Sequence, residues 1–325
     1  MMLRPCASVV ALFCLLIAGS TATAQYQYQL LDADGRPIRY LLDSNEQGDL
    51  VGSVQNSMTG LLDGFTQTAA GVTSFWSTPG FLVYPTSLNN AGMVVGVNIP
   101  DPVAPPEGFV RAADGTETPY DFPGSFGTIP FGINNNDVIS GFYVTADGRK
   151  GFVESLDGTL SRTVEFPGAA ETQLYALNDA GLAGGAWFDD QGAITPFLYD
   201  IETEVFTPVP KPTPDDNYVV TSVNETGDAI VFGLDTLAQG YADRSSFVFD
   251  TSAGTLTQLN VPGALETYGY DLRNDGTVLG YYQNPDGSHG GFRAVVPEPT
   301  ALSMLGMVAL LALALRRSMP AWVGC

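Results

Sequence analysis

The sequence predicts an all-β fold: a six-bladed β-propeller-like repeat domain, flanked by an N-terminal signal peptide and a C-terminal single transmembrane helix. Three observations carry that prediction. One motif recurs six times through the middle of the 325-residue chain, that middle shows no helical periodicity, and uninterrupted apolar runs are confined to the two ends. The composition fits. Apolar residues make up 45% of the chain, against bulk disorder, and 37 Gly with 22 Pro show no three-residue period, against collagen. A net charge of −22 excludes a non-specific nucleic-acid binder, which needs a basic face.

Residues 1–24 read as a secretory signal. Arg4 supplies the positive start, Val9 to Ala18 is apolar but too short to span a bilayer of about 30 Å, and Ala22-Thr23-Ala24 gives the small-x-small cleavage pattern. Cleavage after Ala24 by signal peptidase is expected. At the other end, residues 296–318, Val296-Pro297-Glu298-Pro299-Thr300 precede an apolar run from Ala301 to Leu315, and Arg316-Arg317 close it. Fifteen helical residues cover about 22 Å, slightly short of a bilayer core. Pro299 can open the helix, and the arginine pair stops transfer on the cytoplasmic side. A tail, 319–325, follows.

The Pro-Glu-Pro motif, the short span and the arginine pair together resemble the PEP-CTERM sorting signal of Gram-negative bacteria. The resemblance implies recognition of Pro297, Glu298 and Pro299 by an exosortase-type membrane protease. It also implies a membrane-anchored precursor that ends at the cell surface or in an exopolysaccharide matrix, such as that of a biofilm. The tail after Arg317 departs from that pattern, and a plain membrane anchor is the competing reading.

Removing both ends takes away Arg4, Arg316, Arg317 and Glu298, leaving residues 25–295 with 10 basic and 34 acidic residues, a net −24. Cys6, Cys14 and Cys325 go with the ends. The remaining body then has no disulfide, thiolate metal site or cysteine nucleophile, and it must be held by its core.

Within that body the six copies are SNEQGDLVG from Ser44, LNNAGMVVG from Leu88, INNNDVISG from Ile133, LNDAGLAGG from Leu177, VNETGDAIVFG from Val223 and LRNDGTVLG from Leu272. Their shared slot holds Asn45, Asn89, Asn134, Asn178, Asn224 and Arg273, spaced by 44, 45, 44, 46 and 49 residues. A Phe follows each slot by 18 to 23 residues (Phe65, Phe109, Phe152, Phe197, Phe247, Phe292), and a Pro precedes the next slot by 10 to 14. Short β-branched and aromatic runs between hairpin signals predict four strands per copy, with one starting at each Phe. Four strands in about 45 residues is the size of a propeller blade. The recurrent Gly after the apolar pair suggests strands crowded near an axis. The last copy lacks its outer strand while Tyr26 to Leu42 is surplus, so pairing the two would close a ring and remove sheet edges. An open β-solenoid or a sandwich pair is the competing fold. The units also resemble HAF-type extracellular repeats, whose members mostly lack an assigned activity.

The chemistry is sparse, and no catalytic residue is assigned. The one His, His289, sits in a Gly-rich segment and reads as a solvated turn residue. No His cluster suggests zinc or iron, and lysines occur only at 150 and 211, without a phosphate loop. Asp32-Ala33-Asp34-Gly35, Asp189-Asp190 and Asp215-Asp216-Asn217 read as acidic turns. No metal site or cofactor is assigned beyond loosely bound Ca²⁺ on so acidic a surface. The Asn slot reads as a turn residue bonding its own backbone, rather than as a ligand ring. Trp76, Trp187, Tyr281 and Tyr282 read first as core and second as sugar-stacking surfaces. The expected function is an exported, non-enzymatic surface or exopolysaccharide-matrix protein, with extracellular polysaccharide as a further partner. The alternative is a carbohydrate-binding or carbohydrate-active propeller that uses its axial face. Two carboxylates in a deep axial pocket would favour that alternative, and a stability response to Ca²⁺ would mark calcium-dependent adhesion.

Overall fold

The computed structural model describes residues 26–100, 105–214, 216–234 and 245–295. Ala22, Ala24, Pro297, Glu298, Pro299, Arg316 and Arg317 lie outside them. Among the described residues every regular element is a strand, and no helix is long and apolar enough to cross a membrane.

The chain enters through β1 (Gln27–Ala33) and then lays down one four-stranded unit per repeat. The first unit is β2 (Arg36–Ser44), β3 (Leu50–Gln55), β4 (Leu62–Gln67) and β5 (Thr73–Trp76). The second is β6 (Phe81–Leu88), β7 (Val94–Pro100), β8 (Glu107–Arg111) and β9 (Glu117–Tyr120). The third is β10 (Gly127–Ile133), β11 (Val138–Thr145), β12 (Gly148–Ser155) and β13 (Ser161–Val164). The fourth is β14 (Glu171–Leu177), β15 (Leu182–Phe188), β16 (Ile194–Asp200) and β17 (Val205–Pro208). The fifth is β18 (Asn217–Val223), β19 (Ala229–Leu234), β20 (Ser246–Asp250) and β21 (Thr255–Leu259). The last has three strands of its own, β22 (Glu266–Leu272), β23 (Val278–Gln283) and β24 (His289–Val295).

The arrangement is propeller-like, but the sheets are not six separate blades. The second to fifth units are separate four-stranded sheets, whereas the other eight strands form one sheet in the order β22-β23-β24-β1-β2-β3-β4-β5. The cause is local. β1 pairs antiparallel with β24 along Gln27↔Val295 to Leu31↔Gly291 and so supplies the missing outer strand. The Asp34-Gly35 turn, with both residues at positive φ, then carries the ladder into β2 through Asp32↔Pro37 and Ala33↔Arg36. Asp32 caps this turn by accepting the Gly35 N–H at 2.6 Å. Innermost strands of neighbouring units pack together, and β2 lies against both β6 and the β22–β23 pair, so the circle closes.

Each innermost strand carries a β-bulge three residues before the Asn slot, at Leu42, Thr86, Phe131, Tyr175, Thr221 and Tyr270. A bulge adds one residue against a straight partner and re-aims its side chain, and Leu42, Thr86, Phe131, Thr221 and Tyr270 here line the axial cavity. It also explains the recurrent Gly, and not by crowding at the axis. Gly52, Gly96, Gly141, Gly185 and Gly280 lie opposite Phe65, Phe109, Phe152, Phe197 and Phe292. A Cβ at Gly141 would meet the Ile129 carbonyl on the bulged strand and lie 2.9 Å from the Phe152 ring. The same five Phe side chains are fully buried, each in the middle of its strand rather than at its start. In the fifth unit the partner of Phe247 is Val231, and Phe247 is only half-buried. The core is a series of apolar layers between neighbouring sheets, such as Val51, Val83, Leu88, Val94 and Phe109 between the first two units. Burying one such ring stabilises by about 1.5–3 kcal/mol.

Candidate functional site: the two mouths of the axial channel

The innermost strands run from one end of the axis to the other, and a cavity opens at each end. Where they finish, the six slot residues surround a polar cavity of about 360 Å³. Each Asn side-chain oxygen accepts N–H groups of its own turn, as Asn134 Oδ1 does from Asn136 N and Val138 N at 3.0 Å. That is the expected turn role, but the left-handed residue is not Asn. It lies three positions on, at Gly48, Gly92, Asp137, Gly181, Gly227 and Gly276.

The other half of each amide does something the sequence does not announce. Asn45 Nδ2 donates to the Asn89 carbonyl at 3.4 Å, Asn89 to Asn134 at 3.5 Å, Asn134 to Asn178 at 3.1 Å and Asn178 to Asn224 at 2.9 Å. The next residues repeat the pattern: the N–H groups of Glu46, Asn90, Asn135, Asp179 and Glu225 donate to side-chain oxygens of Asn90, Asn135, Asp179, Glu225 and Asn274. Arg273 closes the circle by donating Nη2 to the Glu46 carbonyl at 3.1 Å. In four units one side chain thus caps its own turn and clasps the next unit.

Two residues before the slot the ring holds Asp43, Ser87, Gly132, Ala176, Ser222 and Asp271. The two aspartates are neighbours across the closure and flank Ser44. Ser44 Oγ donates to Asp271 Oδ2 at 2.6 Å, and Ser44 N donates to Asp43 Oδ1 at 2.9 Å. Asp43 also accepts Ser87 Oγ at 2.6 Å and Leu88 N at 2.8 Å through Oδ2. Burial pushes the Asp271 carboxyl above the ordinary range and the Asp43 charge pushes it further, while Arg273 partly offsets both. Burial likewise raises Asp43, against its hydrogen bonds to Ser87, Leu88 and Ser44. Each carboxyl thus disfavours ionisation of the other. Both aspartates line the axial cavity, which makes them the candidates for a carboxylate pair of the carbohydrate-active alternative. Sequence reading could not select it, because neither aspartate stands in an acidic motif.

At the opposite mouth the lining changes character. A cavity of about 440 Å³ is walled by Tyr40, Tyr84, Phe131, Phe142, Tyr270 and Tyr281, with Arg149 as its one charged residue. The rings interlock, with centroids of Tyr40 and Tyr281 5.0 Å apart edge-on and Tyr270 and Tyr281 5.5 Å apart, stacked. Burial raises the Tyr84 hydroxyl to about 12, so it stays neutral.

The remaining sequence candidates fall elsewhere. His289 is a correction: it opens β24 half-buried rather than standing in a solvated turn, its ring faces the Arg39 guanidinium, and burial and then Arg39 lower its pKa. Asp189 caps a turn by accepting Gln191 N and Ala193 N at 2.8 and 2.9 Å. Asp215 lies outside the described residues. Trp187 stacks on Phe166 at 5.0 Å within the core, Trp76 lies under Arg111 at 4.5 Å, and only Tyr281 of the four aromatics lines the axis. Among the described residues no three His, Cys, Asp or Glu side chains are placed to hold a metal ion.

No family model matches the chain, and no curated protein matches it. Solved structures do. TolB from Agrobacterium tumefaciens aligns with a TM-score of 0.53 at 8% identity, over 84% of this chain and 99% of that one. A triple arginine-to-alanine variant of AofleA from Arthrobotrys oligospora gives 0.51 at 10%, over 84% and 91%. Oligogalacturonate lyase from Vibrio parahaemolyticus gives 0.50 at 12%, over 84% and 98%. At such identities the likeness is one of fold alone, and that fold is the β-propeller.

Proposed function

We propose that this chain is an exported, non-enzymatic surface or exopolysaccharide-matrix protein of a Gram-negative bacterium. Its body is a six-bladed propeller, sorted by an exosortase-type protease acting at Pro297-Glu298-Pro299. In this reading the eight-stranded sheet is two blades, β22-β23-β24-β1 and β2–β5, joined only by the short β1–β2 hairpin. One observation carries the proposal. The hydrogen-bonded ring starts at Gln27, just after the expected cut at Ala24, and ends at Val295, just before the sorting motif. Both processing steps would therefore leave all the described strands in place. A body without cysteine that is clasped unit to unit also suits export, where no disulfide is on hand to help it.

Intact-mass measurement of secreted and membrane fractions tests this. The expected secreted species begins at residue 25 and lacks the segment from Ala301 onward. A tail retained in both fractions overturns the sorting reading.

The Asp43–Ser44–Asp271 arrangement favours one second reading, a carbohydrate-active or carbohydrate-binding axial face. Incubation with a panel of acidic and neutral polysaccharides decides between the two. No release of reducing ends is expected on the non-enzymatic reading. Release that is lost in both Asp43→Asn and Asp271→Asn establishes the other. Calcium adhesion is tested by melting temperature, since a ligand that binds only the folded ring raises it.

A further inference from the structure

We propose that the aromatic mouth is a binding site for a small planar aromatic carboxylate, with Arg149 holding the anion and the tyrosine and phenylalanine faces holding the ring. This goes beyond the surface-protein reading and does not rest on it. It concerns the channel end away from the asparagine ring and the aspartate pair.

The argument begins with volume. A cavity of about 440 Å³ lies in the range of small-molecule sites. A propeller of this size can fill its axis with side chains, and here the bulge residues Leu42, Thr86, Phe131 and Tyr270 narrow the channel without closing the space beyond them. The wall then sets the class of ligand. Val97, Ile99, Ile129 and Val144 stand with the aromatic residues, so most of the surface is apolar carbon. Thr86 Oγ1, the one aliphatic hydroxyl of the wall, donates to the Pro130 carbonyl at 2.8 Å. A sugar would bring several hydroxyls into this wall, each needing a partner to offset its desolvation. A flat aromatic ring brings none, and it gains from stacked or edge-on contact with rings already set at 5.0–5.7 Å from one another.

Charge narrows the class further. Arg149 is the only side chain of the wall that carries charge at neutral pH, since phenol hydroxyls are protonated there and burial pushes those of Tyr84 and Tyr281 further up. Its contact with Glu171 is long, 3.9 Å, and its side chain is half exposed. The guanidinium sits 5.8 Å from the Phe142 ring centroid, at the edge of the aromatic wall. A guanidinium offers two parallel N–H donors to a carboxylate. A carboxylate on the rim of a bound ring meets that fork while the ring stays among the apolar side chains.

The probe is 2-naphthoate, titrated by its own fluorescence against the purified full chain in lipid nanodiscs, with empty nanodiscs as blank. Saturable binding is expected. Arg149→Gln weakens it about tenfold but changes binding of the uncharged 2-naphthalenemethanol by less than about twofold. Ile99→Trp, which fills the cavity, abolishes both, and circular dichroism checks that this variant keeps its sheet. Absence of wild-type binding overturns the site. So does equal affinity in a folded Ile99→Trp variant. Equal affinity in Arg149→Gln overturns the anion assignment without needing the tryptophan variant. Galacturonate that binds through Arg149 where naphthoate does not overturns the aromatic class in favour of a sugar acid.

Discussion

The two cavities share the innermost strands β2, β6, β10 and β22, and they differ in how far their linings repeat. At the asparagine mouth five of six slots hold the same residue, and four of those amides do the same two jobs. Five residues before the slot the innermost strands hold Tyr40, Tyr84, Ile129, Gln173, Val219 and Tyr268, of which the first three line the aromatic cavity, and the bulges hold Leu42, Thr86, Phe131, Tyr175, Thr221 and Tyr270. Repetition marks what every unit must do to hold its neighbour. Variation marks the end where units are free to differ, and where a specific ligand can be read. The aspartate pair breaks the rule at the repeating end: it is a local exception set at the seam where the first and last units meet.

The sharpest way to break the comparison is to disturb a repeated position that has no room. Gly141→Ala places a Cβ against the Ile129 carbonyl and the Phe152 ring. Neither can retreat, since one is ladder backbone beside the bulge and the other is fully buried. The expected loss is about 3 kcal/mol or more, read from chemical denaturation. A fall below about 1 kcal/mol would mean that the bulge does not dictate the glycine. Asn134→Ala comes next. It removes the acceptor for two part-buried turn N–H groups and the buried donor to Asn178, so about 2 kcal/mol is expected. A matching loss at Asn89 would show the ring to be uniform, and a much smaller one would show that its long 3.5 Å clasp contributes little.

The aspartate pair predicts a smaller effect with a definite sign. A carboxyl raised by folding contributes its full stability below its unfolded pKa, about 3.9, and loses it as pH rises through the folded value. Wild-type stability should therefore fall from about pH 4 into the neutral range. Asp271→Asn should flatten that fall, gaining about 1–2 kcal/mol near pH 7 relative to wild type. Identical pH slopes in the two proteins would show that the pair is not coupled across Ser44.

How much of this was legible is decided by periodicity. Asn, Gly-Phe and Pro-Gly recur because each repeat solves the same packing problem, so the unit length, the four strands and the closure through Tyr26–Leu42 could be read directly. The bulges could not, because they leave no fixed residue type: Leu42, Thr86 and Tyr175 share a position and nothing else. Without the bulge, the sequence points the glycine to axial crowding, whereas its cause is a neighbouring carbonyl and a phenyl ring. The fifth unit shows the dependence from the other side, where Val231 replaces the glycine and Phe247 stays half-buried. Nor could the fusion of two units into one eight-stranded sheet be read, since it rests on where one turn, Asp34-Gly35, lets the ladder continue. The aspartate pair was hidden because its members are 228 residues apart and meet only when the ring closes.

The mildest change probes that seam most directly. Arg273→Asn restores the repeat in the sixth slot. The new amide can accept the Thr277 N–H of its own turn, as the other slots do, and donate to the Asn45 carbonyl, replacing the arginine's bond to Glu46. On the logic of the ring alone the variant should match wild type within about 1 kcal/mol. But Arg273 also favours the ionised forms of Asp43 and Asp271, and Asn does not. Near pH 4, where both carboxyls are protonated, the two proteins should therefore be alike, and the variant should fall behind progressively as pH rises past neutrality. A gap that does not change with pH would make Arg273 a plain substitute for the missing clasp. A gap that widens with pH would show why this one slot departs from asparagine: it must close a ring and also steady two neighbouring acids.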